Sequence, residues 1–257
     1  MVLNQRKLSG SKTGGIKLYA DLKPLFIQQG IKIGRDKFYD VLRRQRLLVP
    51  KAKNHHITTN SHHRYFKYPN LVKDKVPTRP EQLWVSDITY IKTNQGHQYL
   101  ALVTDAYSKK IMGYKLDKHM KASLCTDALK MAIKNRQYPD KQIIHHSDRG
   151  FQYCSNEYVS FAKNNNIQLS MTEQYDPYEN AVAERINKTL KYEYGLKQSI
   201  ASFNIAQKMV KQAVYTYNNY RRHFSLNLNT PDFVHLNPTI PYKSYRKNKK
   251  AITNLLN

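Results

Sequence analysis

Two cysteines, Cys125 and Cys154, are all that 257 residues contain. That is too few for a disulfide framework or, unaided, for a four-ligand zinc site. Long hydrophobic runs are missing too: no stretch nears the roughly 20 apolar residues of a membrane span. The first 25 residues hold no apolar run followed by small residues, the mark of an export signal. The expectation is a reducing, cytoplasmic chain with no membrane partner. Negative charge is also scarce. Asp and Glu number 18 against 43 Lys and Arg, for a formal net charge of +25. A hydrophobic fraction of 40% still suffices for ordinary cores. Such a chain is built for a polyanion, and nucleic acid is the one that fits.

The charge is uneven. Residues 1–80 hold 18 basic and 4 acidic side chains, residues 81–240 hold 20 and 14, and residues 241–257 hold 5 and none. A moderately charged middle is flanked by basic arms that suit gripping DNA. Near the start, Ile16, Leu18, Leu22, Leu25 and Phe26 recur at helical spacing until Gly30. After Gly34, Phe38, Val41, Leu42 and Leu48 fall on one side of a second segment, and Arg43, Arg44 and Arg46 crowd its end. Two short helices, the second basic, fit a helix-turn-helix, as they would any small helical hairpin. Residues 1–49 are therefore read as a DNA-binding region in which Arg43, Arg44 and Arg46 face DNA. Residues 50–80 lose periodicity and include Pro50, Pro69, Pro77 and Pro80, which reads as a basic linker. His55, His56, His62 and His63 lie there. With 28 residues between the two cysteines, they read as solvated side chains rather than zinc ligands.

From Glu81 the texture changes. WVSDITYI, YLALVTDAYS and KIMGYKL are β-rich runs in a meander. A helix follows over 121–136, then the short strand QIIHH, an irregular SDRGFQY turn, a helix over 156–165 and the strand IQLSM. A long helix from about 179 to 198 and another over roughly 202–221 complete the order. This predicts an α/β fold, a mixed five-stranded sheet flanked by helices, over 81–235, with a basic tail at 236–257. An RNase H-like core has this order, as do other α/β folds.

The middle has acids to spare, so a site needs more than their presence. Asp87 interrupts an apolar strand, where a desolvated carboxylate is costly. Asp148 follows directly on QIIHH, at the strand end where α/β folds open their clefts. Glu184 sits in the first turns of the long helix. At 100° per residue, Asn180, Asn187, Lys188 and Lys191 fall within about 60° of it, while Val182, Ile186 and Leu190 fall opposite. One face is thus buried and the other is a polar stripe, which a solvated face with a Glu184–Lys188 pair would also give. Asp105, in VTDAYS, reads as a turn or cap residue.

Several motifs recur in order. They are Trp84-x-x-Asp87-Ile88-Thr89, His146-Ser147-Asp148-Arg149-Gly150-x-Gln152-Tyr153 and Glu179-Asn180-Ala181-x-x-Glu184, with 35 residues between Asp148 and Glu184. Lys191 lies seven residues after the glutamate, and Tyr217-Asn218-x-x-Arg221-x-His223-x-x-Leu226-x-x-x-Thr230-Pro231 follows. Over about residues 15–235 this set resembles the D,D,E transposases of the integrase superfamily. It is most similar to the downstream-frame protein of two-frame bacterial insertion sequences.

The resemblance implies an RNase H-like catalytic core, DNA 3′-end cleavage and strand transfer, and a site of two Mg²⁺ or Mn²⁺ ions with no zinc. Asp87, Asp148 and Glu184 are its implied catalytic and metal-holding residues, with Asp87 shared between the ions. Hard oxygen ligands agree with those cations. Lys191, Lys188 and Asn187 are expected at DNA, with Arg149 and Gln152 either there or locking their turn. His145 and His146 are expected behind the metal ligands. Arg221 and His223 read as scaffold. The implied partners are the element's terminal and target DNA, further copies of this chain, and an upstream-frame protein or fusion. In the bacterial cytoplasm such a protein is nucleoid-associated when bound to DNA. Two other readings remain: a DNA-binding regulatory subunit inactive without that partner, and a plain RNase H-like nuclease.

Overall fold

In YLALV the apolar run is unbroken because both faces of its strand are covered. Leu100 and Leu102 point to one side of the sheet and Ala101 and Val103 to the other, each within 2% of full burial. In a computed structural model the described residues are 1–49, 64–73, 75–173 and 180–239. The strands are β1 (Leu83–Thr93), β2 (Gly96–Asp105), β3 (Ile111–Asp117), β4 (Ile143–Ser147) and β5 (Ile167–Met171). They lie in the order β3-β2-β1-β4-β5. The first three form the expected antiparallel meander, and β4 and β5 add parallel to β1.

Helices α4 (Ala122–Lys134), α5 (Phe151–Cys154) and α6 (Asn156–Asn164) cover one face. There Trp84, Val103, Met112, Leu124, Leu129 and Tyr158 form a core. Helices α7 (Ala181–Glu193) and α8 (Phe203–Asn219) cover the other, packing Ile186, Leu190, Val210 and Tyr217 on Ile91, Leu100 and Leu102. Gly113 lets β3 approach α4: a Cβ there would stand 2.1 Å from the Ala128 carbonyl oxygen and 2.6 Å from the Ala132 nitrogen.

The expected helix to about 198 stops earlier, at Glu193, because Gly195 turns the chain with φ +78°. A Cβ there would meet only Met209 Cε at 3.6 Å. Gly195→Ala is therefore expected to cost about 1 kcal/mol by backbone strain alone, measurable by urea denaturation. The SDRGFQY turn contains the short helix α5. Four residues are too few to reveal a helical period.

Helices α1 (Val2–Ser9), α2 (Gly15–Gln28) and α3 (Arg35–Arg44) precede the sheet. Leu18, Leu22, Phe26, Phe38 and Leu42 are their core. Ile16, Leu25, Val41 and Leu48, expected on the buried side, are exposed instead; Leu47 packs in place of Leu48. The helices rest on the end of α7: Ser11 Oγ donates to the Glu193 carbonyl at 3.3 Å, Tyr194 OH to that of Ser9 at 3.4 Å, and Arg222 pairs with Asp21. Of the expected linker, Leu71 N donates to Ser170 Oγ at 2.9 Å, so this stretch lies along β5. Pro50, the four linker histidines, Glu179 and the tail from 240 lie outside the described residues.

A buried polar cluster joins the start of this core to α9 (Pro231–Leu236). Glu81 Oε1 is 3.2 Å from His235 Nε2, and His235 Nδ1 is 2.9 Å from Ser108 Oγ. Ser108 Oγ donates to Asp105 Oδ1 at 2.8 Å, and Asp105 Oδ2 accepts from Glu81 N at 2.7 Å. Asp105 is thus the turn residue it was expected to be. Arg221, given no nameable role beyond scaffold, makes a two-pronged pair with Glu193 at 2.6 and 2.7 Å. It clamps the end of α7 to the segment after α8.

Candidate active site

Parallel pairing of β1 and β4 decides where the two aspartates meet. Trp84 registers with His145 and Val85 with His146. Two residues further along each chain stand Asp87, within β1, and Asp148, just past the end of β4. Helix α7 packs across β1 at this point. Asn180 Nδ2 donates to the Ser86 carbonyl at 2.9 Å, and Asn187 Nδ2 donates to Asp87 Oδ2 at 2.8 Å. Glu184 lies between these two contacts, on an exposed position of the helix.

Charge reports the same grouping. Burial first, then the charges of Asp148 and Glu184, push the Asp87 carboxyl up to about 7, against hydrogen bonds from Asn187 and Ile88 that hold it down. Asp87 is thus within the field of both other acids. Among the described residues no three His, Cys, Asp or Glu side chains are grouped as one metal site. The acids share a field through Asp87 rather than forming a single cage.

Asn187, expected at DNA, is buried beneath Asp87 and spends its amide N–H on that carboxylate. A helical wheel places it beside Glu184 but cannot tell that β1 lies against that edge. Lys191 is half-buried with its Nζ 4.1 Å from the Tyr90 ring centroid. Burial pulls its pKa down and Asp87 pulls it up. Lys188 is exposed and Arg149 half-buried. Arg43, Arg44 and Arg46 are exposed at the end of α3, with Arg43 paired to Asp40 at 2.5 Å.

The turn after Asp148 is fastened locally. Gly150 N donates to Asp148 Oδ1 at 3.0 Å, and Gln152 Nε2 to the Met120 carbonyl at 3.2 Å, so Gln152 locks the turn. His145 and His146 are buried and held neutral, their pKa values lowered to about 3 and about 4 chiefly by burial. His145 bonds Ser86 Oγ at 2.6 Å and His146 bonds Ser170 Oγ at 2.9 Å, which ties β4 to both neighbouring strands. Cys125 and Cys154 are buried and free, their thiol pKa values raised by burial.

Comparison with known proteins fits this geometry. Two family models, each described as an integrase core domain, match residues 77–177 and 165–231. An uncharacterized 31 kDa protein of insertion element IS600 from Shigella sonnei is 34% identical over 206 residues, 79% of this chain and 75% of that protein. The chain belongs to the integrase-core family of insertion-sequence transposases. Another member of this transposase family, InsF of insertion sequence IS3A from Escherichia coli K12, is 37% identical over 154 residues. That match spans 60% of this chain and 53% of InsF. Among solved structures, the simian T-cell lymphotropic virus intasome in complex with PP2A regulatory subunit B56 gamma superposes with a TM-score of 0.54 at 17% identity. It covers 96% of this chain and 79% of that one, and at this identity the likeness is one of fold. The RNase H-like sheet is thus present in full. No described helix is long and apolar enough to cross a membrane.

Proposed function

We propose that this transposase cuts the 3′ ends of its own insertion sequence and joins them to target DNA in a reaction dependent on Mg²⁺ or Mn²⁺. The observation that carries the reading is the Asp87 carboxyl, which feels Asp148 and Glu184 together. The match to InsF, which is named a transposase, supports the same reaction class.

The donor set fits a divalent cation. Three carboxylates are hard oxygen ligands, and their crowded negative charge is relieved by cations. Asp87 would be shared between two ions, with Asp148 holding one and Glu184 the other. Bound there, the ions supply Lewis acidity for the attacking oxygen, water or a DNA 3′-OH, and for the departing 3′-oxygen.

The remaining work falls to this chain's own groups. Asn187 fixes the orientation of Asp87. Lys191, Lys188 and Arg149 meet DNA phosphates beside the cut, and Arg43, Arg44 and Arg46 grip DNA from the helical region. Joining needs two DNA ends and a target in one place, so a homo-oligomer on DNA is expected, with an upstream-frame protein or fusion as a further partner.

Asn187→Ala is expected to lower the cleavage rate about 10- to 100-fold with little change in DNA affinity. A mere loss of stability would leave the rate per folded molecule unchanged. The reading as a whole is tested with end-labelled terminal DNA and Mg²⁺ or Mn²⁺. Nicked and joined products are expected. A binding-only protein would shift the DNA without divalent-dependent nicking, even when given the upstream-frame protein, and that result would sink the reading.

A further inference from the structure

Helices α2 and α7 and the segment after α8 enclose a cavity of about 330 Å³ on the flank of α7 turned away from Glu184. Its charged lining is wholly basic. Lys17, Lys109, Arg185, Arg221 and His223 line it, with the exposed Phe224 ring beside them. The nearby acids are engaged by other groups: Glu193 takes both prongs of Arg221, and Asp21 pairs with Arg222.

Lys17 is 7% exposed and forms no ion pair among the described residues; its Nζ stands 5.6 Å from the Phe224 ring centroid. Burial, and secondarily the charge of Arg221, pull its pKa down to about 8, against the charges of Glu193 and Asp21, which hold it up. His223 is held well below its ordinary value by burial and by Arg221, Lys17 and Lys109, so these groups share one positive field. Enclosed cationic charge of this kind is costly unless an anion meets it. No acid is among the residues that line the cavity, though Glu193 and Asp21 act on Lys17 from nearby and Asp105 on Lys109. Arg185, exposed at the rim, extends the charge to the surface.

We propose that this cavity is a phosphate pocket that holds a backbone phosphate of DNA away from the cleavage site. It rests on the reading of the protein as a DNA transposase and adds a second grip, at the seam where the N-terminal helices meet the catalytic core. DNA held there would span both parts of the chain. Guanidinium and ammonium donors around one cavity suit a phosphate's several oxygens.

The test uses the full chain and two variants, Lys17→Gln and Arg185→Gln, binding a random-sequence duplex without divalent metal. Each variant is expected to reduce the slope of log affinity against log salt by about 0.9, the loss of one phosphate contact, and to weaken binding evenly across sequences. A role in packing alone would change melting temperature and leave the slope untouched. If Lys17→Gln does not fold, Arg185→Gln, at an exposed position, carries the test. Unchanged slopes in the folded variants, with the wild type still binding, overturn the pocket and spare the transposase reading. A wild type that binds no duplex overturns both.

A second arm adds inorganic phosphate against chloride at matched ionic strength. Phosphate is expected to raise the melting temperature of the wild type and not of Lys17→Gln. Protection by phosphate with unchanged slopes on DNA would assign the pocket to a free anion and overturn the proposal.

Discussion

At pH 8 and without metal, Asp87→Asn melts several degrees above the wild type. The folded protein raises this carboxyl from its ordinary 3.8 to about 7, so between about pH 4 and 7 it binds a proton that the unfolded chain has already released, and at pH 8 it carries a charge that the fold disfavours. Stability therefore falls as pH rises from about 4 to 7 and stays lower above that. The full rise converts to about 4 kcal/mol, which partial exposure cuts to about 2. Asparagine keeps the shape and offers its own oxygen to Asn187 while removing the charge. Below about pH 3 the carboxyl is largely protonated in both states, and the advantage disappears. Mn²⁺ should reverse the ranking. It is expected to stabilise the wild type by about 2.7 kcal/mol at a hundred times its dissociation constant, and to do little for the variant. Thermal melts at two pH values, with and without Mn²⁺, check this. Equal Mn²⁺ protection of both proteins would remove Asp87 from the metal site.

The second large effect concerns the frame that carries the site. Gly113→Ala drives a Cβ into the Ala128 carbonyl and the Ala132 nitrogen, both backbone atoms of α4 that no side-chain rotation can clear. Helix and strand must part, opening the core around Trp84 and Met112. A loss of about 3 kcal/mol or more is expected, read as a lowered urea midpoint or as insoluble expression. A midpoint within 0.5 kcal/mol of the wild type would mean that β3 and α4 do not meet this closely.

Much of this was legible in the chain because its signals are local. Asp87 and Asp148 stand in or directly after apolar strands, and the YLALV run betrays a strand covered on both sides. Parallel register then does what spacing alone cannot, setting residues 61 apart side by side. Glu184 was singled out by the motif resemblance, since the period of its helix would equally give a solvated face. The same period misled for Asn187, because a wheel gives direction without saying what lies there. Long-range pairs left no trace: nothing near Arg221 names Glu193, 28 residues away, and nothing near Glu81 names His235, 154 residues away. Leu48 went astray because α3 ends at Arg44 and the turn residues beyond follow no period, whereas Val41 lies inside α3 yet stays exposed. The basic cavity was invisible for a related reason. Its lining comes from residues 17, 109, 185 and 221, and only folding sums their charge.

Side-by-side cleavage of one labelled terminal DNA by the wild type, Asp87→Asn, Asp148→Asn and Glu184→Gln, at DNA occupancy matched by gel shift, tests the central claim most directly. Loss of about 10³-fold or more in divalent-dependent cleavage is expected for each variant, with DNA binding kept. Wild-type cleavage by any one of the three would contradict a single site built from all of them.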